Sequence, residues 1–290
     1  MNSNTGTLYL VATPIGNLED ITFRAIRILK EVDLIAAEDT RHTLKLLNHF
    51  EIKQKLISYH QHNERERAPE IIRLLTAGLN VAVVSDAGMP GISDPGSWLV
   101  AEAIKLGISV VPVPGASAVV TALAASGLAS KGFYFKGFLP RKSNDQMEVL
   151  KQLASIPDTL IFYEAPHRLA KTLANIYKVF GNRPAVLARE LTKVHEEFVR
   201  ADLNSLIKMV EQFGGKGEYT ILVTGSNNHQ LNLQNSTNEL LTELADGLSV
   251  MNGTLKEKLK KIAKKTGRST KEIYRLYLQQ YKHPEDGGND

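Results

Sequence analysis

The sequence of 290 residues contains no cysteine at all. This absence excludes disulfide bonds, cysteine-ligated zinc sites, iron–sulfur clusters and a cysteine nucleophile. The chain also lacks the basic segment that opens a secretory signal peptide, and it lacks an apolar run of about 20 residues that would span a membrane. We therefore expect a cytoplasmic protein with no membrane segment.

Three common nucleotide-binding and hydrolase motifs are missing as well. There is no G-x-x-x-x-G-K-[ST], no G-x-G-x-x-G after the first predicted strand and no G-x-S-x-G. Their absence argues against a P-loop hydrolase, an ordinary dinucleotide-binding Rossmann site and an α/β-hydrolase. His60, His62 and Glu64 lie close together but match no zinc or calcium spacing, so we expect a polar surface there and no metal.

The charge of the chain is unevenly distributed. Lysine and arginine number 35 against 31 acidic residues, a net charge of +4, and 43% of the residues are hydrophobic, as in an ordinary globular protein. Between Thr254 and Lys282, ten basic residues accompany two acidic ones, which makes this segment +8 and leaves −4 for the rest of the chain. Such a segment is typical of a module that meets a polyanion, and equally typical of a solvated helix surface.

Short runs of apolar and β-branched residues predict seven buried strands. Because the runs are continuous rather than alternating, we expect parallel strands that are covered on both faces. Helical periods separate the runs, and Asn17 is predicted to cap a first helix that begins at Leu18. This alternation predicts an α/β fold. The predicted strands are Thr7–Ala12, Val32–Ala37, Val81–Ser85, Ile108–Val113, Thr159–Tyr163, Ala185–Ala188 and Tyr219–Thr224.

Composition divides the chain into five predicted segments. They are an N-terminal α/β domain (1–117), a second α/β domain (118–225), a polar linker (226–240), a basic helical module (241–282) and a tail (283–290). In the module, Thr254 with Glu257 and Ser269 with Glu272 form two capping boxes, each of which predicts the start of a helix. Gly267 is positioned to end the first helix, so the pair resembles a helix-turn-helix.

Glycine- and proline-rich turns follow three of the predicted strands, at residues 12–17, 85–96 and 112–118. Ligands of open α/β sheets bind beyond the carboxyl ends of the strands, which is where these turns lie. Glycine allows the backbone to approach a ligand closely, and proline stiffens the loop. Any single turn would be an ordinary strand–helix connection, but three at one sheet edge predict a binding cleft.

The motif SDAGMPGISDPG, followed further along by PGASA, resembles the tetrapyrrole methylase family of S-adenosylmethionine-dependent methyltransferases. LYLVATPIGNLEDIT, AAEDTR, FYEAPHR, ARELTKVHEE and KGEYTILV narrow the resemblance to the members that methylate a ribose 2′-hydroxyl in 16S rRNA. The resemblance runs from about Thr7 to Val223. It implies two α/β domains with S-adenosylmethionine in the cleft between them, a homodimer, and a decoding-region cytidine of the small ribosomal subunit as the substrate.

The resemblance also implies which residues hold the cofactor. An adenosine needs an apolar slot with a few converging polar groups, and the matching positions offer both. Asp86 supplies a carboxylate for hydroxyls or an amine, although an aspartate in such a loop also commonly caps a turn. The implied positions are Pro14, Ile15, Gly16, Asp86, Gly88, Met89, Ser117 and Ala118 from the three turns, and Tyr163, Leu191, Tyr219 and Thr220 from the second domain.

Methyl transfer to a ribose hydroxyl needs help at the acceptor oxygen. The enzyme aligns oxygen, methyl and sulfur for an in-line displacement, and a neighbouring base or cation assists the loss of the hydroxyl proton. Charged residues follow several predicted strands, and from AAEDTR and ARELTK we take Glu38, Arg41 and Lys193 as the catalytic candidates. For any one of them, an ion-pair network at an interface is the alternative.

A bound RNA would need positive charge and surfaces on which bases can stack. The charge is offered by the basic module and by Arg141, Lys142, His167 and Arg168. The aromatic residues Phe133, Tyr134, Phe135 and Phe138 would either stack bases or form a core strand, and we expect at least half of them to be core residues.

Two other functions remain open at the level of the sequence. A methyltransferase that acts on a small tetrapyrrole would have no use for the basic module. In a non-catalytic DNA-binding regulator, the two large domains and the three ligand loops would have no function. Binding of S-adenosylmethionine separates the regulator from both enzymes, and methylation of RNA separates the two enzymes from each other.

Overall fold

The structure is a computed structural model, and it describes residues 5–129, 131–226 and 254–266 together with positions 244, 248, 270, 273, 274 and 277. Contacts divide the chain into two compact units, Met1–Gly225 and Ser226–Asp290. The first unit contains two five-stranded sheets with helices between the strands, so the α/β class is confirmed. The boundaries of the five segments named above remain predictions. Within the described residues, no helix is both long and apolar enough to cross a membrane.

The first sheet consists of β1 (Thr7–Val11), β2 (Leu34–Ala37), β3 (Leu56–Ser58), β4 (Val81–Val84) and β5 (Ser109–Val113). Its order is β3-β2-β4-β1-β5, and all neighbours are parallel. The helices that connect these strands are α1 (Phe23–Glu31), α2 (Thr40–His49), α3 (Glu64–Thr76) and α4 (Ser97–Lys105). Leu8 packs with Leu99 of α4 in one core cluster, and Ile35 packs with Leu29 of α1 in another. Both faces of the sheet are therefore covered, as the continuous apolar runs predict.

The second sheet consists of β6 (Phe133–Phe138), β7 (Thr159–Glu164), β8 (Pro184–Arg189), β9 (Glu197–Asp202) and β10 (Tyr219–Val223). Its order is β6-β7-β10-β8-β9. Its helices are α5 (Ala118–Ser126), α6 (Ser143–Leu153), α7 (Leu169–Phe180) and α8 (Leu203–Phe213). The residues that α6, α7 and α8 bury form one core cluster with the sheet, and those of α5 form another.

The direction of the strands in the second sheet corrects one prediction. β10 is antiparallel to β7 and β8, and β8 is antiparallel to β9, so the expectation of parallel strands is wrong there. A continuous apolar run indicates that a strand is buried on both faces, and it does not indicate the direction of the strand. β10 has such a run and is buried at every position. β3 and β9 escape prediction because they are edge strands whose residues are partly exposed.

The start of the first helix is also corrected. The Asn17 side chain accepts a hydrogen bond from Glu19 N at 3.0 Å, but the turn that it caps, Leu18–Asp20, is a short 3-10 turn. Helix α1 begins only at Phe23, where the Thr22 hydroxyl accepts from Ala25 N at 3.1 Å. Two capping residues follow each other closely in the sequence, and the second one belongs to the α-helix.

The aromatic strand β6 lies mostly open. Phe133, Tyr134 and Phe138 are 45%, 40% and 55% exposed, whereas Phe135 packs against a core cluster. The expectation that at least half of these aromatic residues are core residues is wrong. The reason is topological, because β6 is an edge strand that pairs with β7 alone.

The C-terminal unit contains helix α9 (Leu255–Thr266). The first capping box is confirmed, since Glu257 N donates to Thr254 Oγ1 at 3.4 Å and Thr254 N donates to Glu257 Oε2 at 3.0 Å. Leu259, Ile262 and Ala263 are buried in one apolar cluster, while Leu255 is 40% exposed. The second capping box, the helix stop at Gly267, the linker from residue 227 and the tail lie outside the described residues.

We expect Thr22→Ala to lower the free energy of unfolding by about 1 kcal/mol, because α1 loses its N-terminal side-chain acceptor. Thr22→Ser keeps the hydroxyl and should retain most of that stability. Thr76→Ala, at an exposed helix end, is the control and should stay within about 0.5 kcal/mol of the wild type. Urea unfolding followed by circular dichroism measures all three. If Thr22→Ala is as stable as the control, Thr22 is not the effective cap.

Candidate active site

Three loops meet at the carboxyl edge of the first sheet, where β4, β1 and β5 are neighbours. Thr13 N donates to Gly88 O at 2.9 Å, and Gly88 N donates to Thr13 O at 3.1 Å. The buried Thr13 hydroxyl donates to Ser85 O at 3.0 Å. Gly88 has a φ of +82°, a conformation that favours glycine. The loops after β1 and β4 are therefore fixed to each other.

A cavity of about 440 Å³, here called the central cavity, opens between these loops and the second sheet. Ten of the twelve predicted cofactor residues line it: Ile15, Asp86, Gly88, Met89, Ser117, Ala118, Tyr163, Leu191, Tyr219 and Thr220. Pro14 and Gly16 line a neighbouring cavity of about 470 Å³, here called the adjoining cavity. The two cavities share Ile15, Asp86, Ala87 and Glu218.

The second sheet supplies one wall of the central cavity. Tyr163 at the end of β7 and Thr220 of β10 both face it. The Tyr163 ring lies 4.8 Å from that of Phe135 and 5.6 Å from that of Phe138, measured between ring centroids. Burial raises the pKa of Tyr163 to about 12, and the nearby charge of Asp94 adds to the effect. The Tyr163 hydroxyl is therefore neutral at physiological pH.

Three carboxylates lie together on the opposite wall. Asp86 N donates to Glu38 Oε2 at 3.3 Å, and Asp39 N donates to Asp86 Oδ1 at 3.1 Å. Burial raises the pKa of Glu38, and the charge of Asp86 works in the same direction, while the Asp86 backbone N–H and His60 oppose the shift. Burial also raises the pKa of Asp94 to about 7, with the charges of Glu38 and Asp86 adding to it. A cationic group would interact favourably with this wall.

The predicted set does not include Asp94. The loop after β4 contains two Ser-Asp pairs, Ser85-Asp86 and Ser93-Asp94, and both aspartates line the central cavity. This repetition is the signal that would have identified the second aspartate. Glu164, which directly follows a predicted strand and belongs to the wider set of charged candidates, also lines the cavity. The remaining lining residues, which were not predicted as cofactor or catalytic residues, are Ala87, Ile92, Ser93, Phe138, Ala165, Pro166, Ala188 and Glu218.

The structure separates the three catalytic candidates. Glu38 lines the central cavity, and Lys193 lines the adjoining cavity. Burial works to lower the pKa of Lys193, but its hydrogen bonds to Glu218 at 2.9 Å and Glu190 at 3.1 Å raise the pKa overall. Lys193 is thus a fixed cation rather than a proton acceptor. Arg41 lies outside both cavities, 88% exposed and paired with Asp39 at 3.0 Å.

The loop after β8 docks on the loop after β1. Asn17 N donates to Thr192 Oγ1 at 2.9 Å, and Thr192 N donates to Glu196 Oε2 at 2.6 Å. Gly16 lies so close to this loop that a Cβ atom there would meet Lys193 Cγ at 2.6 Å and Thr192 Oγ1 at 2.7 Å. This contact ties the first sheet to the second beside both cavities.

Among the described residues, no group of three or more histidine, aspartate or glutamate side chains is arranged to hold a metal ion. The rings of His60 and His62 lie 5.9 Å apart in an edge-to-face arrangement. The Nδ1 atom of His60 is buried without a hydrogen-bond partner among the described residues.

Comparison with known proteins adds an independent line of evidence. A model of the family described as Tetrapyrrole (Corrin/Porphyrin) Methylases matches residues 7–207. "Ribosomal RNA small subunit methyltransferase I" of Halalkalibacterium halodurans is 48% identical over 277 residues, 95% of this chain and 96% of the relative. The protein of the same name from Bacillus subtilis is 45% identical over 95% of both chains.

A solved structure shares the fold. The uroporphyrin-III C-methyltransferase of Thermus thermophilus, complexed with S-adenyl homocysteine, aligns with a TM-score of 0.54 at 22% sequence identity. The alignment covers 75% of this chain and 97% of that one. The two-sheet architecture is thus common to both proteins.

We expect Gly16→Ala to destabilise the protein by about 1–3 kcal/mol, because the new methyl group must displace the loop at residues 191–193. Thr192→Val removes the acceptor for Asn17 N without adding bulk, and it should cost about 1 kcal/mol. Both changes should be visible in urea unfolding. A Gly16→Ala protein with wild-type stability would mean that the two loops do not depend on close contact.

Proposed function

The chain belongs to the tetrapyrrole methylase family, and we propose that it transfers a methyl group from S-adenosylmethionine to a ribose 2′-hydroxyl in 16S rRNA. The acceptor that we propose is a cytidine in the decoding region of the small ribosomal subunit. The names of the relatives support an rRNA methyltransferase. The observation that carries the proposal is the central cavity, which gathers ten residues from distant parts of the chain.

The residues of the central cavity fit S-adenosylmethionine. Ile15, Met89 and Leu191 offer apolar surface for the adenosine, and about 440 Å³ falls within the usual range for small-molecule sites. The amino group and the sulfonium of this cofactor are both cationic, which suits the wall formed by Asp86 and Asp94. When bound, the cofactor supplies an electrophilic methyl group. The donor set of the cavity therefore agrees with the proposed cofactor in shape and in charge.

The residues of the chain have distinct proposed roles in the transfer. Glu38 has a raised pKa and lines the central cavity, so we assign it the proton of the ribose hydroxyl. Lys193 uses two of its three ammonium donors on the carboxylates of Glu190 and Glu218 in the adjoining cavity, and we assign the third to the approaching RNA. Arg41 is exposed and is positioned to meet a phosphate from outside the cavities. In this proposal, much of the rate acceleration comes from alignment of the ribose hydroxyl with the methyl group.

A small tetrapyrrole is the competing substrate, because the solved structure that shares the fold belongs to a uroporphyrin-III C-methyltransferase. The names of the more similar relatives and the +8 segment between Thr254 and Lys282 favour RNA. We also propose, on the resemblance alone, that the enzyme is a cytoplasmic homodimer.

Incubation of undermethylated small ribosomal subunits with labelled S-adenosylmethionine tests the proposed function. We expect one ribose methyl group in 16S rRNA, mapped by nuclease digestion. Lys193→Met should lower the rate of transfer about tenfold or more, because the proposed ammonium donor to the RNA is lost, and should change cofactor affinity less than about twofold. Lys208→Met, at an exposed position of helix α8, is the matched control and should keep the wild-type rate.

Three results would contradict the proposal. The first is a wild-type enzyme that binds the cofactor but methylates a tetrapyrrole and not the subunit. The second is a methyl group on a base rather than on a ribose. The third, which concerns Lys193 alone, is a Lys193→Met enzyme that matches the Lys208→Met control.

The pKa of Asp94 predicts how cofactor binding depends on pH. Because this pKa is raised to about 7, Asp94 becomes ionised as the pH rises from 6 to 8, and its charge then favours the cationic cofactor. We expect the affinity ratio of wild type to Asp94→Asn to grow about tenfold over this interval, since the cofactor's own titration cancels in the ratio. Calorimetry measures both proteins. Asp145→Asn, an exposed control, should follow the wild type, and a constant ratio would contradict the role of Asp94.

A further inference from the structure

A third cavity, here called the basic cavity, opens beside the central cavity and measures about 840 Å³. It is bordered by the segments that lead into helices α6 and α7, and it shares Phe138 and Ala165 with the central cavity. A ligand that occupies both cavities would therefore pass over Phe138. The basic cavity plays no part in holding the proposed cofactor.

Two cationic side chains of the basic cavity, those of Arg141 and Lys171, are available to a ligand. Arg141, His167 and Lys171 are exposed, and they form no hydrogen bond or ion pair with any residue that the structure describes. Its lining residues, all within the described ranges, include no carboxylate. Unpaired positive charge around a concave surface favours an anionic ligand.

Arg168 lines the same cavity, but its guanidinium group is occupied by an ion pair and by backbone hydrogen bonds. Its Nε atom lies 3.2 Å from Glu164 Oε1, and its terminal nitrogen donates to Leu139 O at 2.7 Å and to Pro140 O at 3.0 Å. The Glu164 side chain is fully buried, so its negative charge is neutralised by Arg168 and does not face the ligand. The positive charges of Arg141 and Lys171 are therefore not cancelled by a carboxylate beneath the cavity.

The floor of the basic cavity is a fixed polar network between α6 and α7. Gln146 donates to Thr172 Oγ1 at 3.2 Å, and Thr172 Oγ1 donates to Glu164 Oε2 at 2.6 Å. Asn175 donates to Gln146 Oε1, which links the two helices a second time. Because these groups satisfy one another, the cavity is shaped before a ligand arrives.

Helix polarity works in the same direction as the side chains. Helices α6 and α7 both begin beside the basic cavity, and neither has a side-chain cap on its first N–H groups. Gln146 and Thr172, from the early turns of the two helices, line the cavity. The positive end of the α7 dipole adds to the attraction of Arg141 and Lys171 for an anion, whereas Asp145 in the first turn of α6 offsets the dipole of that helix.

We infer that the basic cavity binds backbone phosphates of the RNA strand next to the nucleotide that is methylated, an inference that rests on the function proposed above. The cavity is larger than a single small anion requires, which suits a segment of a polymer. Phe138, 55% exposed at the junction of the two cavities, offers its ring to a base of the same strand. The target ribose then enters the central cavity while the neighbouring phosphates stay on Arg141 and Lys171.

The test compares two double variants of the full-length enzyme. Arg141→Ala/Lys171→Ala removes two charges from the basic cavity, and Lys151→Ala/Lys178→Ala removes two charges from the last turns of the same helices. The first variant should weaken binding of undermethylated small subunits about tenfold, and the slope of log affinity against log salt should fall by about 1 to 2. Its affinity for S-adenosylmethionine should stay within twofold of the wild type. The second variant should match the wild type throughout.

Each alternative result has a definite meaning. If both double variants bind subunits equally well, the basic cavity does not hold RNA and the inference is overturned. If Arg141→Ala/Lys171→Ala also loses cofactor binding or melts earlier than the control, the effect is structural and the inference again fails. If the wild type binds subunits through these residues but transfers no methyl group, the proposed function fails and phosphate binding at the basic cavity stands.

Discussion

The two backbone hydrogen bonds between Thr13 and Gly88 fix the geometry on which the candidate site depends. They hold the loops after β1 and β4 at one distance, and these loops present Ile15 and Asp86 to the central cavity. The loop after β8 adds a second constraint through the contact of Thr192 with Asn17. Because backbone groups make these bonds, the cavity keeps its shape without a ligand, and binding does not have to organise it.

The positions of the loops could be read from the sequence because glycine and proline act locally. A positive φ at Gly88 and the stiffness of the neighbouring prolines are properties of single residues, and they mark the turn wherever the rest of the chain lies. The contribution of Tyr163 and Thr220 came from the family resemblance, since neither residue carries a local signal. Asp94 is absent from the predicted set because an Asp-Pro-Gly sequence also forms an ordinary turn, and only the repeated Ser-Asp pair marks it in the sequence.

Orientation was harder to predict than location. Arg41 is close to Glu38 in the sequence, but it belongs to helix α2 and pairs with Asp39 on the exposed side. The direction of β10 was equally inaccessible, because a strand that is buried on both faces has the same apolar pattern in either direction. Phe138 was assigned with its aromatic neighbours, yet its exposure follows from the edge position of β6, which is a property of the whole sheet. In each of these cases the error concerns how one helix or strand is placed against another, and no local sequence pattern indicates that placement.

The buried pair of Glu164 and Arg168 lies between a cavity lined by carboxylates and a cavity lined by basic side chains. Glu164 lines the central cavity with Asp86 and Asp94, and Arg168 lines the basic cavity with Arg141. A pair of this kind gains little stability after its desolvation, so stability does not explain its position. The proposed reaction brings a cationic cofactor to a polyanion, and each needs a surface of the opposite sign. The ion pair is 3.2 Å long and lies between the two cavities. The fold is shared with a methyltransferase named for a tetrapyrrole substrate, so under the proposed function this division of carboxylates and basic side chains, rather than the two sheets, suits the chain to RNA.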